Sequence, residues 1–356
     1  MLGNPFILDP CSSESVKNNS QEISKMMDSN MIDFVVTWVD DSDPVWRKKK
    51  CVYTGATVTE GDIDARYRDW DMLKYWFRGV EKFAPWVRYV WFVTDDQKPE
   101  WLNLDHPKLK WVCHTDFIPH EYLPTFNSHT IEWNLHRIEG LADQFVYFND
   151  DMFLIRNASM EDFFVKGLPC DRPGVESICP SEFFSYILFN NTFLLNRHFS
   201  LKDSIRKYYK KWFRYQTPKG FLRLLWYGRR KLIPGCSGQH IHIPFRKETF
   251  LTLWEQETEI IHNTCMHRLR SKEDVSPWCV RDWRCLEGNF QPMAPIGKAF
   301  STDSIEHNGA IEYIRKQKGT IICLNDNESE TDFHKHKQML VDVFQELLPE
   351  KSSFEL

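Results

Sequence analysis

Apolar positions along the chain fall into short continuous runs separated by stretches of helical period. Met31–Val39 (MIDFVVTWV) is a β-branched apolar run and predicts a buried strand, which ends in the turn cluster at 40–44. Within Asp69–Phe83, apolar residues at 72, 73, 76, 77, 80 and 83 repeat at helical spacing. Trp86–Thr94 reads as the next strand, closing on Asp95 and Asp96, and Leu109–Cys113 as a third. Ser128–Arg137 predicts a helix with Ser128 or Asn127 as its N-cap. Gln144–Phe148 is a fourth strand, followed by Asn149, Asp150 and Asp151. Further on, 247–263 and 273–285 read as helices, Thr320–Leu324 as a late strand and Phe333–Leu348 as a closing amphipathic helix. Strands that alternate with helices predict an α/β fold with a mostly parallel sheet flanked by helices. In such sheets ligands bind at the carboxyl ends of strands, and three of these four strands deliver carboxylates there.

Other segments depart from this alternation. Residues 1–30, rich in Ser, Asn and Glu, read as a poorly ordered leader, and 31–356 as the folded domain. From about 157 to 235 the pattern is less regular. Residues 202–231 hold eleven Lys/Arg, one acid and eight aromatics, which predicts a helical, basic insertion. Such a segment is a solvated face over an aromatic stripe, a peripheral contact with an acidic membrane surface, or a track for an anionic polymer. A net charge of −5 and the lack of any recognition motif argue against nucleic acid. The ten cysteines stand singly with no CxxC pair, and there is neither a signal-peptide pattern nor an apolar run of membrane-spanning length. A cytoplasmic protein, at most peripheral to the membrane, is the expectation.

Asp150 and Asp151 at a strand end can hold Mg²⁺ or Mn²⁺ on diphosphate oxygens, because hard cations prefer oxygen ligands. Glu132 and His136 share a helix face. His240 and His242 alternate around Ile241 and would share one face of a strand. On spacing alone the Glu132–His136 pair reads as a plain surface contact and the His240–His242 pair as structural. His262, Cys265 and His267 lack the second half of a zinc site. No GxxxxGK[ST], GxGxxG or GxSxG occurs, so a bound phosphate would need side chains such as arginine.

Four blocks together resemble the Stealth family, which includes bacterial capsular polysaccharide phosphotransferases and the animal lysosomal-enzyme N-acetylglucosamine-1-phosphotransferase alpha/beta subunit precursor. They are IDFVVTWVDDSDPVW (Ile32–Trp46), the long block from Arg66 to Leu154, HIPFRKETF with HRLRSKEDVS (His242–Phe250 and His267–Ser276), and ICLNDNE (Ile322–Glu328) with the closing PEKSSFEL. Asp41 stands where the family commonly has glycine. The resemblance implies a Rossmann-like, glycosyltransferase-A-like core, a UDP-sugar donor and a glycan or polysaccharide acceptor. It implies sugar-1-phosphate transfer that forms a phosphodiester and releases UMP. It puts the catalytic set on Glu132, Asp151, His242 and Arg270, with Asp150 and Asp151 holding the metal and either His242 or Glu132 as base. Asp40, Asp43, Arg68, Asn127 and Asn149 are the further donor-pocket candidates. A metal-dependent glycosyltransferase that releases UDP and a non-catalytic glycan-binding scaffold are the alternatives.

Overall fold

The computed structural model describes residues 31–54, 67–328 and 330–356; the leader expected at 1–30 lies outside these. Strands β1 (Ile32–Thr37), β2 (Val90–Thr94), β3 (Leu109–Cys113) and β4 (Gln144–Asn149) are mutually parallel. With the antiparallel edge strand Ile243–Arg246 they form a sheet in the spatial order 243–246, β4, β1, β2, β3. The expected mostly parallel α/β sheet is what forms. Parallel strands need crossovers that cover both faces, so β1 is buried on both sides, with Phe34 and Val36 in one core and Val35 in the other.

That burial extends to Asp33, fully enclosed in β1. Its carboxylate accepts hydrogen bonds from Arg88, from the Trp91 indole (2.8 Å) and from the backbone N–H groups of Tyr89 and Ala142. These bonds satisfy the buried charge and tie β1 to the approaches of β2 and β4.

The helix Leu73–Phe83 packs beneath the sheet, and Gly79 lets it come close: a Cβ there would lie 2.8 Å from the Leu154 carbonyl oxygen. A second sheet joins Gly297–Ser301, Ile321–Asn325 and β5 (Met152–Leu154). Asp150 and Asp151 are therefore the whole of the connection from β4 in the first sheet to β5 in the second.

Element ends shift by a few residues from the sequence expectation, and two differences are larger. The helix expected over 247–263 is two, Lys247–Gln256 and Thr258–Met266. They break at Glu257, whose buried carboxylate accepts from Arg197 (2.8 Å) and lies 2.5 Å from His198. The irregular region contains a 16-residue helix, Phe183–His198. Tyr186, Phe189 and Phe193 are exposed on it, which blurs the amphipathic period.

Candidate active site

The carboxyl ends of β1 and β4 lie side by side, Thr37 opposite Asn149, where the strand order reverses. A cleft of about 640 Å³ opens there, at the expected position for a ligand site in an open α/β sheet. Because β5 runs antiparallel to Ile321–Asn325, the Asp150–Asp151 turn is pinned to that strand's carboxyl end. The Leu324 N–H donates to the Asp151 carbonyl at 2.9 Å. Asp151 Oδ2 accepts from the Cys323 thiol at 3.4 Å, while Oδ1 is buried with no hydrogen-bond partner among the described residues. His240 Nδ1 is 2.5 Å from the Asn325 amide oxygen, and Nε2 is 3.3 Å from the Asn149 amide nitrogen. A carboxylate oxygen of Asp151, a ring nitrogen of His240 and Cys323 Sγ all lie within 4.8 Å of one another. Burial raises the carboxyl pKa of Asp150, as do Asp151 and Asp69, and burial raises that of Asp151. Burial and then Asp151 lift the Cys323 thiol well above its usual range, so the sulfur keeps its proton at neutral pH.

The facing wall is the helix Ser128–Asn134, whose N-cap Asn127 accepts from the His129 N–H at 3.0 Å. Glu132 points inward from it and is hydrogen-bonded to Ser128 and Tyr147. Burial pushes its carboxyl up to about 7, although the Arg270 guanidinium and both hydrogen bonds pull the other way. The Tyr147 hydroxyl is 3.1 Å from Thr37 Oγ1, and Arg270 Nη2 donates to Ser128 Oγ at 2.6 Å.

The loop carrying Arg270 is braced by Asp274, which is fully buried. Its carboxylate accepts from Asn127 Nδ2 (2.8 Å) and the Ser271 N–H (2.9 Å), and it contacts His267 Nδ1 (2.6 Å) and His129 Nδ1 (3.3 Å). Burial alone would raise this carboxyl. The bonds to His129 and His267 outweigh it and hold the pKa near about 2. Asn127 thus joins the Glu132 helix to the Arg270 loop.

Among the described residues, seven carboxyl side chains line the cleft (Asp69, Asp95, Glu132, Asp150, Asp151, Glu182, Asp326) against two guanidiniums, Arg68 and Arg270. Arg68 is already engaged by Asp326 at 3.3 Å and by the Glu328 carbonyl at 3.1 Å. Burial and then Asp71 raise the Asp69 carboxyl to about 6. Trp38, Trp70 and Trp278 add flat apolar wall.

Of the residues expected from the sequence, Glu132, Asp150, Asp151, Arg270, Arg68 and Asn149 line this cleft; His242, Asp40, Asp43 and Asn127 do not. The expectation that His240 and His242 share a face fails. The Ile241 N–H donates to the Gln239 carbonyl at 3.0 Å, a tight turn, and the strand begins only at Ile243. His240 faces the cleft, whereas His242 packs between Phe163 and Phe148, where burial pulls its pKa down to about 3. Asp40 and Asp43 serve the turn instead: Asp40 accepts from the Ser42 N–H and Asp43 from the Val45 N–H, both at 2.8 Å. His136 stacks on Phe250, away from Glu132's ligand-facing side.

Three Stealth protein conserved regions match the chain: region 1 at 31–54, region 2 at 66–170 and region 4 at 312–356. The capsular polysaccharide phosphotransferase WcwK of Streptococcus pneumoniae is 39% identical over 332 residues, covering 92% of this chain and 99% of that protein. This chain belongs to the Stealth family. A second relative, the receptor polysaccharide phosphotransferase WefC of Streptococcus gordonii, is 38% identical over 331 residues, 91% of this chain and 99% of its own. The Stealth chain is accordingly an enzyme of the phosphotransferase class. Among solved structures, the galactosyltransferase LgtC, solved with donor and acceptor sugar analogues, overlays 90% of this chain and 98% of its own. Its TM-score is 0.36 at 10% identity, too distant to bear on the chemistry.

Sequence reading of this Stealth chain missed His240, Cys323, Tyr147 and Asp274 as contributors. The polar end of the late strand, Asn325-Asp326, was the available signal for Cys323 and Asn325. Nothing in spacing connects Asp274 to Asn127, which lie 147 positions apart.

Proposed function

We propose that this protein transfers a sugar 1-phosphate from a UDP-sugar to a hydroxyl of a glycan acceptor, forming a phosphodiester of a surface polysaccharide and releasing UMP. The observation that carries this reading is the acidic cleft itself: Asp151, whose Oδ1 has no hydrogen-bond partner among the described residues, and His240 on one wall, Glu132 and Arg270 on the other. The names of the relatives, polysaccharide phosphotransferases, point the same way.

In this reading Glu132 accepts the proton of the acceptor hydroxyl. A carboxyl near about 7 is matched to that task at neutral pH, and the Tyr147 and Ser128 hydrogen bonds orient it. The acceptor oxygen forms its bond to the sugar-bearing phosphorus as the bond to the UMP oxygen breaks. Arg270, steadied by Ser128, neutralises the charge that grows on the phosphoryl oxygens. The histidine of this cleft is His240 rather than His242, and its role here is to hold a cation, not to act as the base.

A diphosphate entering among seven carboxyls needs a cation. Asp151 and His240, with Asp150 and Asn325 adjacent, fit a divalent ion: Asp151 Oδ1 has no hydrogen-bond partner among the described residues, and a ring nitrogen of His240 lies within 4.8 Å of the Asp151 carboxylate. The ion would neutralise donor diphosphate oxygens. One nitrogen ligand among oxygens favours Mn²⁺ over the strictly oxygen-seeking Mg²⁺.

The test incubates the full chain with UDP-N-acetylhexosamines and acceptor oligosaccharides. Nucleotide product is followed by chromatography and the glycan by phosphorus NMR. UMP with a diester resonance is expected; exclusive UDP release refutes the reading and favours ordinary glycosyl transfer.

The basic segment supports peripheral contact with an anionic membrane. The helix Pro218–Tyr227 exposes Leu222, Leu225 and Trp226 on one stripe, Trp226 with 69% of its surface free, beside exposed Lys219, Arg229, Arg230 and Lys231. Lys211, by contrast, is internal glue, donating to the Gly288 and Phe290 carbonyls. Among the described residues no helix is long and apolar enough to cross a membrane. Flotation with phosphatidylglycerol vesicles, lost in Leu222→Ser/Trp226→Ser, is the expected result. Equal flotation of that variant, or none for the parent, removes the contact.

A further inference from the structure

Across the Gln239–Ile243 segment from the cleft lies a second cavity of about 270 Å³. Ile241 and Ile243 line both spaces, so a single thickness of chain separates them. His240 faces the first. His242 lines the second, nine-tenths buried, and its Nδ1 has no hydrogen-bond partner among the described residues.

The charges around this cavity do not cancel. Asp171 is paired with Arg281 at 2.8 Å and Arg284 at 2.9 Å, Glu176 with Arg223 at 2.8 Å, and Asp162 accepts from the Ser159 N–H at 2.7 Å. Arg172 and Lys219 also line it, and neither has an ion-pair partner among the described residues. Arg172 is part-buried beside Arg281, and burial and then that neighbour lower its pKa against a smaller opposing pull from Asp171, whose carboxylate is already shared by Arg281 and Arg284. The amino end of the ten-residue helix Pro218–Tyr227, with Thr217 as N-cap, opens on the same space and favours negative charge. Gly238 stays open because a Cβ there would collide with the Arg281 guanidinium.

We infer that this second cavity binds a phosphate ester, namely the phosphodiester that an earlier addition has left in the acceptor chain. The inference rests on the phosphotransferase reading above and deepens it. An acceptor that already carries one diester would be gripped beside the cleft while its free hydroxyl reaches Glu132. Chain extension would then outrun the first addition.

The experiment has a binding arm and a kinetic arm. Dimethyl phosphate and inorganic phosphate are titrated into the full chain by calorimetry, without donor. Turnover is then compared on two acceptors of equal length, one with an internal phosphodiester and one without. Wild type should bind dimethyl phosphate and show the lower KM for the diester acceptor. Arg172→Gln should weaken that binding and raise that KM ~10-fold or more, the scale of one charge-assisted contact, at constant kcat. Its KM for the phosphate-free acceptor should not move. Lys219→Gln, an exposed position that folding tolerates, should act in the same direction.

Equal KM values for the two acceptors in wild type overturn the inference, as does an equal loss on both acceptors in Arg172→Gln. Inorganic phosphate bound more tightly than the diester also overturns it, in favour of a free-phosphate site. If neither acceptor yields UMP, it is the functional reading that fails, and calorimetry still decides whether the cavity takes a diester.

Discussion

Replacing Glu132 by Gln removes one carboxylate and leaves the shape of the site intact. Burial shifts this carboxyl from 4.5 to about 7, a difference of about 3 kcal/mol between protonation states. The folded pKa is raised, so between 4.5 and about 7 the folded protein holds a proton that the unfolded chain has lost. Stability therefore falls as pH rises through that window, and the loss is complete above it. Glu132→Gln carries no such penalty and should be more stable than wild type at pH 8 by about 1–3 kcal/mol, measured by urea denaturation. At pH 5 the two proteins should be nearly equal. Activity should move the opposite way: kcat/KM of wild type rises with pH through about 7 as the base ionises, and the variant loses ~10²–10⁴-fold. A variant that is stabilised yet inactive is the signature of a strained catalytic group. Near-wild-type turnover in Glu132→Gln, or a rate flat between pH 5.5 and 8, refutes the reasoning.

Two further tests address the rest of the site. Asp151→Asn and His240→Ala should each weaken Mn²⁺ binding ~10-fold or more in calorimetry, whereas His242→Ala should leave it unchanged. Asp274→Ala should destabilise by about 3–5 kcal/mol, because it strands buried donors from Asn127, His129 and Ser271. The folded pKa of Asp274 is depressed to about 2, so its contribution is full above 3.8 and is lost as pH falls toward about 2, which acid denaturation of wild type against variant would show.

Much of the scaffold was legible because its elements are driven by local pattern. β1, β2, β3 and β4 are apolar runs buried on both faces, and their ends were recognisable as polar clusters. Asp150 and Asp151 came from the acidic strand end, Glu132 and Arg270 from the family resemblance, and all four line one cleft. The error at His240 and His242 has a specific cause. Strand alternation was assumed from His240, whereas the strand begins at Ile243, and the turn at Gln239–Ile241 sends the two rings to different cavities. Asp40 and Asp43 look like ligands in a list of residues but are occupied by their own turn, a use that short-range hydrogen bonds favour for aspartate.

By itself the sequence determined the order of strands and helices, the acids at strand ends and the family, because each depends on neighbouring residues or on a continuous motif. Only the tertiary structure decided which of those groups share a cavity. The strand Ile321–Asn325 has to pair with β5 before Cys323 and Asn325 reach Asp151 and His240. Asn127 has to reach across to Asp274 before Arg270 has a fixed place beside Ser128. Proximity between residues more than a hundred positions apart arises from packing and burial, and local pattern carries no record of it.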